Sequence, residues 1–331
     1  MVNDNNGTSE IEKLNILSQR HLGHLLGVAP EKLAEIARYA DTYYAPFDTT
    51  GRERPFQKHP NKSRTIDNPR GDMKKVQRRI YRRLLRPICF PEHILGGVRK
   101  RSVLDNGDRH LGSNVLVTVD IRKCFPSINN VQIYRVWRET LGCTPPVASL
   151  LTRLTTYKRR LPQGSPASPL LANLFIWSID KPIREACKQK SVVYSTWIDD
   201  LGFSGILARE VIQVAAKVLA AHGLRLSRKK IRVMGSREKK LLTGTRLGQS
   251  SIRASREKLA RVRSGIHKLR KGLVPASKQE RYVDGLVGQL LYIERLCPID
   301  SDRYVRDLAE CNPKSLSSMA KKFLNARLTQ Y

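Results

Sequence analysis

The chain has 331 residues, 40% of them hydrophobic, which is long enough to bury a core and too apolar for a disordered chain. Lysine and arginine total 61 against 29 acidic residues, a formal net charge of +32. A compact particle with that charge repels itself unless a polyanion accompanies it, so an ordinary metabolic enzyme is excluded and nucleic acid is the expected partner. No apolar run of spanning length, secretory signal or lipidation motif is present, and a cytoplasmic protein that keeps off membranes is expected. The six cysteines lie far apart without a C-x-x-C pair, which predicts reduced thiols and no structural zinc.

In chain order, residues 1–10 are polar and expected to fray, and residues 11–40 carry helical spacing, with a helix opened by Pro30-Glu31. Residues 47–72 are basic and turn-rich and predict a short hairpin or loops. Residues 74–85 read as a basic helix that stops at Pro87. Residues 115–119 form a β-branched strand ending at Asp120, and helices are expected over 130–141 and 169–188. Residues 192–198 are a strand, Asp199-Asp200 a tight turn and 201–204 a return strand. A helix over 208–222 ends at Gly223, short strands follow at 230–234 and 241–247, and basic helices cover 255–271, 277–296 and 315–328. The order predicts an α+β core over about 90–250 followed by a helical module.

Two segments carry chemistry. In VTVDIRKCFPSI (117–128) a strand delivers Asp120 at its end, and Phe125 follows five residues later. In YSTWIDDLGFSG (194–205) two adjacent carboxylates crown an apolar hairpin, where like charges repel unless a cation neutralises them. Nucleotidyl transfer needs two metals about 3.5–4 Å apart, and three hard oxygen donors from neighbouring strands suit two Mg²⁺ ions. Between them LPQGSPASPLLANL (161–174) shapes a rigid loop running into a helix, where Gln163 can meet a nucleotide. Gly107 to Gly112 has phosphate-loop spacing but is followed by Ser113 rather than lysine, so no such loop is assigned.

These three segments, in this order, resemble the polymerase motifs of reverse transcriptases, and most closely those of bacterial retron-type enzymes. The resemblance implies a right-hand fold of fingers, a palm with an antiparallel sheet and a helical thumb. The implied domains are a helical leader over 1–45, fingers and palm over 46–250 with the palm core at about 103–128 and 166–250, and a basic helical thumb over 251–331. It further implies Asp120, Ile121, Asp199 and Asp200 at the metal positions and Asp120, Asp199, Asp200 and Lys230 as catalytic residues. Lys230, in HGLRLSRKKIRVM, would sit near the leaving pyrophosphate as a general acid. Lys62, Arg64, Phe125 and Gln163 would meet the incoming nucleotide, Phe125 as a steric gate against the ribose 2′-hydroxyl. NGDRH resembles the retron Asn-x-x-x-His element and LTG the Val-Thr-Gly element, which places Asn106, His110, Thr243 and Gly244 beside RNA or primer. Arg256 and Arg263 lie on the basic face of the first thumb helix, spaced for phosphate contact. Two positions depart from the family pattern: Trp197 stands where tyrosine is usual, and Ser227 where asparagine is usual.

The implied activity is RNA-directed DNA synthesis from dNTPs on a cognate non-coding RNA, giving a branched RNA-linked DNA. An effector protein encoded nearby and a role in anti-phage defence are implied as well. The competing readings are a group II intron-like reverse transcriptase, which usually continues into further segments, and an inactive RNA-binding protein on the same fold.

Overall fold

The computed structural model describes residues 11–49, 64–311 and 316–328. Lys62, the expected fraying of residues 1–10 and part of the 47–72 segment lie outside these residues. The described residues fall into two compact units, 11–49 with 64–238, and 239 onward.

The first unit opens with α1 (Gln19–Leu26) and α2 (Pro30–Arg38). Ser18 Oγ accepts the His21 amide at 3.0 Å, Gly27 ends α1 in the left-handed region, and Pro30 opens α2. β1 (Phe47–Asp48) pairs antiparallel with β2 (Thr65–Ile66) in the segment expected to form a hairpin. α3 (Gly71–Arg79) runs on as a π-helical turn, Ile80–Leu85. The Arg79 and Arg83 guanidiniums donate to the Leu26 and Leu25 carbonyls at 3.2 and 2.9 Å, and so satisfy the open end of α1.

The palm sheet contains β3 (Leu116–Asp120), β4 (Val193–Trp197), β5 (Asp200–Ser204) and β6 (Arg232–Met234), in the order β4-β5-β3-β6 and antiparallel throughout. Helices α4 (Val103–Asp108), α5 (Cys124–Ser127), α6 (Asn130–Arg135), α7 (Pro145–Thr155), α8 (Ser168–Ile179), α9 (Lys181–Gln189) and α10 (Val211–Ala221) complete the unit. The helix expected over 169–188 is two helices. Pro182 has no N–H to continue α8, and the break leaves the Asp180 carboxylate free to bind side chains on either side. α7 has no counterpart in the sequence reading. It is largely buried and lacks the polar face that advertises a surface helix.

The second unit holds the antiparallel sheet β7 (Lys240–Leu242), β8 (Thr245–Leu247) and β9 (Ile252–Ala254). It continues with α11 (Arg256–Arg270), α12 (Ala276–Leu296), α13 (Pro298–Ala309) and α14 (Ser318–Leu328). The strand expected over 241–247 is a hairpin, because Thr243 and Gly244 both adopt positive φ, 46° and 80°, which a two-residue turn requires. β9 packs on α12, so the expected division between residues 250 and 251 falls inside this unit. Among the described residues no helix is long and apolar enough to cross a membrane.

The core of the first unit is continuous, and the central strands β3 and β5 are buried on both faces. Phe203 on β5 is fully buried and stacks on Tyr194 with ring centroids 5.2 Å apart. Phe203→Ala should cost about 3–5 kcal/mol of stability, read as a lower urea midpoint at unchanged slope.

Candidate active site

Antiparallel register sets Asp120, the last residue of β3, directly opposite Asp200, the first of β5. Trp197 pairs with Asp200 across the hairpin, so Ile198 and Asp199 are its two-residue turn. The Asp199 carbonyl accepts the Ile121 amide at 2.8 Å, which extends the β3–β5 ladder by one bond and fixes the third carboxylate beside the other two. Ile198 carries φ +59°. A β-branched residue is costly in that region, by on the order of 1–3 kcal/mol, and hairpin turns of this length favour glycine or asparagine there.

The three acids repel one another. Burial, then the charges of Asp199 and Asp120, push the Asp200 carboxyl up to about 6. Burial and Asp120 also raise Asp199, opposed by Lys230 and Arg64, so the Arg64 charge reaches the site. Lys230 Nζ donates to Asp120 Oδ2 at 2.5 Å from the single turn Arg228–Lys230, half-exposed to solvent. This places Lys230 on a carboxylate, where the sequence reading put it beside pyrophosphate. Ser227, at the departure from the family pattern, donates its amide to the Asp120 carbonyl at 2.8 Å. The Cys124 thiol lies close by, and burial, reinforced by Asp199 and Asp120, pushes its pKa up.

The donor set fits a hard divalent cation, with three carboxylates gathered where each makes its neighbours harder to ionise. As they stand, among the described residues no three His, Cys, Asp or Glu side chains are arranged to hold a metal ion, and Lys230 competes for Asp120. The Ile121 side chain is buried and apolar and its amide is taken up by Asp199, so only its carbonyl is available to a cation.

Gln163 is reached through Asp67. The Asp67 amide donates to the Gln163 carbonyl at 2.8 Å, and the Gln163 amide donates to Asp67 Oδ2 at 3.1 Å. Arg160 pairs with the other carboxylate oxygen at 3.2 Å. Gly164, at φ +142°, lies so close that a Cβ would stand 2.8 Å from the Asp67 carbonyl. Asp67 thus holds the backbone at Gln163, a role that sequence reasoning missed; TIDNPRG reads only as a turn. Phe125 lies in α5, half-buried against the core.

Asn106 and His110 lie inside the first unit. Both are 1% exposed. His110 Nε2 lies 2.8 Å from Ser195 Oγ and Nδ1 lies 2.7 Å from Ser204 Oγ, while Ser195 Oγ donates to Asn106 Oδ1 at 2.7 Å. Because the Ser195 hydrogen goes to Asn106, Nε2 must be the ring's donor and Nδ1 accepts from Ser204. Together these side chains form a buried polar brace that ties α4 to β4 and β5. The serines that complete it were visible as hydroxyls inside apolar strands, in YSTW and GFSG. In the second unit Thr243 and Gly244 form the tip of the β7–β8 hairpin, with Gly244 exposed. Arg256 and Arg263 are exposed on α11, which buries Val262, Ile266 and Leu269.

Residues 56–249 match the family described as reverse transcriptase (RNA-dependent DNA polymerase). That is more than half of the chain, and the chain belongs to this family: an RNA-directed DNA polymerase whose antiparallel sheet is the palm of a right-hand fold. Relatives it is similar to include retron enzymes. It is 28% identical over 234 residues to the retron Ec86 reverse transcriptase of Escherichia coli, covering 70% of this chain and 72% of that one. It is 24% identical to the retron Mx162 reverse transcriptase of Myxococcus xanthus, covering 92% and 68%. A solved foamy viral protease-reverse transcriptase in complex with RNA/DNA hybrid is similar at TM-score 0.47 and 14% identity; this chain covers 33% of it.

Burial lowers the His110 pKa to about 4. The unfolded chain takes up its proton near pH 6.5 and the folded one only near 4, so stability is intact above 6.5 and falls as pH drops between those values. The loss should reach roughly 3 kcal/mol. Urea unfolding should show the gap between wild type and His110→Gln narrowing from pH 7 to 4; a gap independent of pH would contradict this.

Proposed function

We propose that the chain copies part of a cognate structured non-coding RNA into single-stranded DNA by two-metal nucleotidyl transfer. The observation that supports this most directly is the β3–β5 register, which sets Asp120 against Asp200 with Asp199 tied to Ile121. Asp120, Asp199 and Asp200, with the Ile121 carbonyl, would hold two Mg²⁺ ions. Bound there, the ions would activate the attacking hydroxyl and steady the triphosphate.

The chain's own residues do the rest. Arg64, whose charge already reaches Asp199, and Lys62 hold the triphosphate. Gln163, fixed through Asp67, lies along the nucleotide, and Phe125 excludes a ribose 2′-hydroxyl. Lys230, once displaced from Asp120, protonates the departing pyrophosphate. Thr243, Gly244, Arg256 and Arg263 track the phosphates of the RNA–DNA duplex. Likeness to retron enzymes favours a DNA joined to its RNA through a 2′-hydroxyl, and cytoplasmic work with a neighbouring effector in anti-phage defence.

The test is to express the protein with its native flanking DNA and to treat its bound nucleic acid with RNase and DNase on a denaturing gel. DNA that stays joined to RNA until an RNase or debranching step, and is absent from an Asp199→Ala, Asp200→Ala variant, is the expected result. RNA alone from both proteins, with no DNA on adding Mg²⁺ and dNTPs, would leave only an RNA-binding scaffold.

Phe125→Val should raise ribonucleotide incorporation by roughly tenfold or more in a primer-extension assay, since a small steric difference in a pocket carries that much discrimination. Replacing both Arg256 and Arg263 by alanine should weaken binding to hybrid duplex and flatten the log affinity against log salt plot by roughly 2.

A further inference from the structure

The free edge of β4 is covered by residues His93 to Gly96, which run parallel to it at a single rung, Ile94 beside Thr196. The Thr196 amide donates to the His93 carbonyl at 2.7 Å, and the Leu95 and Gly96 amides both point at the Thr196 carbonyl, at 2.9 and 3.4 Å. The segment is anchored at both ends. His93 pairs with the fully buried Asp180 at 2.9 Å, itself held by Arg184 at 2.7 Å. The Gly96 carbonyl accepts from Asn173 Nδ2 at 2.8 Å, and Asn173 is buried on α8.

At its end the segment meets the turn that carries Asp199. A Cβ on Gly96 would stand 2.6 Å from the Ile198 nitrogen, 2.7 Å from the Trp197 carbonyl carbon and 2.8 Å from Ile198 Cγ1. Two of these three are main-chain atoms that no rotamer change can move. Gly96 does not have the positive φ of its neighbour Gly97, so the glycine is demanded by the close approach rather than by its own dihedral. The main chain it touches is the strained one, with Ile198 at φ +59° immediately before Asp199.

We infer that Gly96, with Asn173 behind it, is a positioning residue for the polymerase site: its bare backbone wedges the Trp197–Ile198 main chain so that Asp199 and Asp200 face Asp120 in metal-binding geometry. This rests on the reading of those acids as the metal site. Neither Gly96 nor Asn173 touches the reacting atoms. They act through the turn, as a strained turn persists only where its surroundings over-determine it. Asn173 is part of LLANL and Gly96 part of ILGGV, segments that otherwise read as helix and connection.

The experiment compares wild type with Gly96→Ala and Asn173→Ala by two readouts. One is Mn²⁺ affinity, by electron paramagnetic resonance, of the protein with an RNA template, DNA primer and non-extendable dNTP. The other is kcat and the Mg²⁺ midpoint in primer extension. Gly235→Ala, whose added methyl meets only Glu238 Oε2 at 3.6 Å, controls for glycine substitution. Leu151→Ala, buried in α7, controls for lost stability. Gly96→Ala should weaken Mn²⁺ binding and raise the Mg²⁺ midpoint at least tenfold, with lower kcat and little change in KM for template–primer. Asn173→Ala should do the same more weakly, and it keeps the test open if Gly96→Ala fails to fold. The two controls should keep the wild-type midpoint, Leu151→Ala at a lower melting temperature. Wild-type metal affinity and midpoint in both Gly96→Ala and Asn173→Ala would overturn the inference. Wild type that binds Mn²⁺ but makes no DNA would sink the polymerase reading, while a loss of Mn²⁺ binding in Gly96→Ala would still uphold the wedge.

Discussion

Everything at this site follows from one electrostatic constraint: three carboxylates must be kept side by side although each makes the others harder to ionise. The register of β3 on β5 imposes that proximity, because opposed residues of an antiparallel pair stand only about 4.5–5.5 Å apart. Burial first, and then the neighbouring acids, raise the Asp199 and Asp200 carboxyls, partly offset by Lys230 and Arg64. An arrangement that works against itself in this way is stable only on a rigid support, and most of the first unit supplies one.

The support is polar as well as apolar. Beneath the hairpin His110, Asn106, Ser195 and Ser204 form a hydrogen-bonded chain, so four buried polar groups lock α4 to two strands. At the edge of β4 the pairing of His93, Asp180 and Arg184 does the same from the side. Asp67 braces the loop that carries Gln163, where one carboxylate takes the Gln163 amide and the Arg160 guanidinium. Buried polar groups of this kind are costly when half-satisfied. Here they hold loops and turns in place, a task that non-directional apolar packing performs poorly.

Charge divides the labour between the two units. In the first, cations near the acids are engaged with them or act on them, as Lys230 and Arg64 do. In the second, α11 buries Val262, Ile266 and Leu269 and turns Arg256 and Arg263 to solvent, the arrangement a phosphate backbone would meet. The net charge of +32 is therefore not one uniform field. Lys230 and Arg64 act on the acids, while Arg256 and Arg263 stand exposed to solvent.

The palm was legible because its signals are local. A β-branched strand ending in Asp120, an apolar hairpin tipped by two acids and a proline-shaped loop between them each announce themselves within a dozen residues, and their order carries the family. The Thr243–Gly244 turn, the break at Asp180 and the buried helix α7 were not legible, since each depends on a dihedral choice or a buried face that periodicity does not encode. The roles of Asn106, His110, Asp67 and Gly96 could not be read at all from neighbouring residues. Their partners lie 89, 94 and 96 positions away for Asn106–Ser195, His110–Ser204 and Asp67–Gln163. Sequence alone determined which atoms could do the chemistry, because that is a matter of residue type and spacing. Only the tertiary structure decided which residues hold those atoms in place, because positioning is a property of contacts between distant segments.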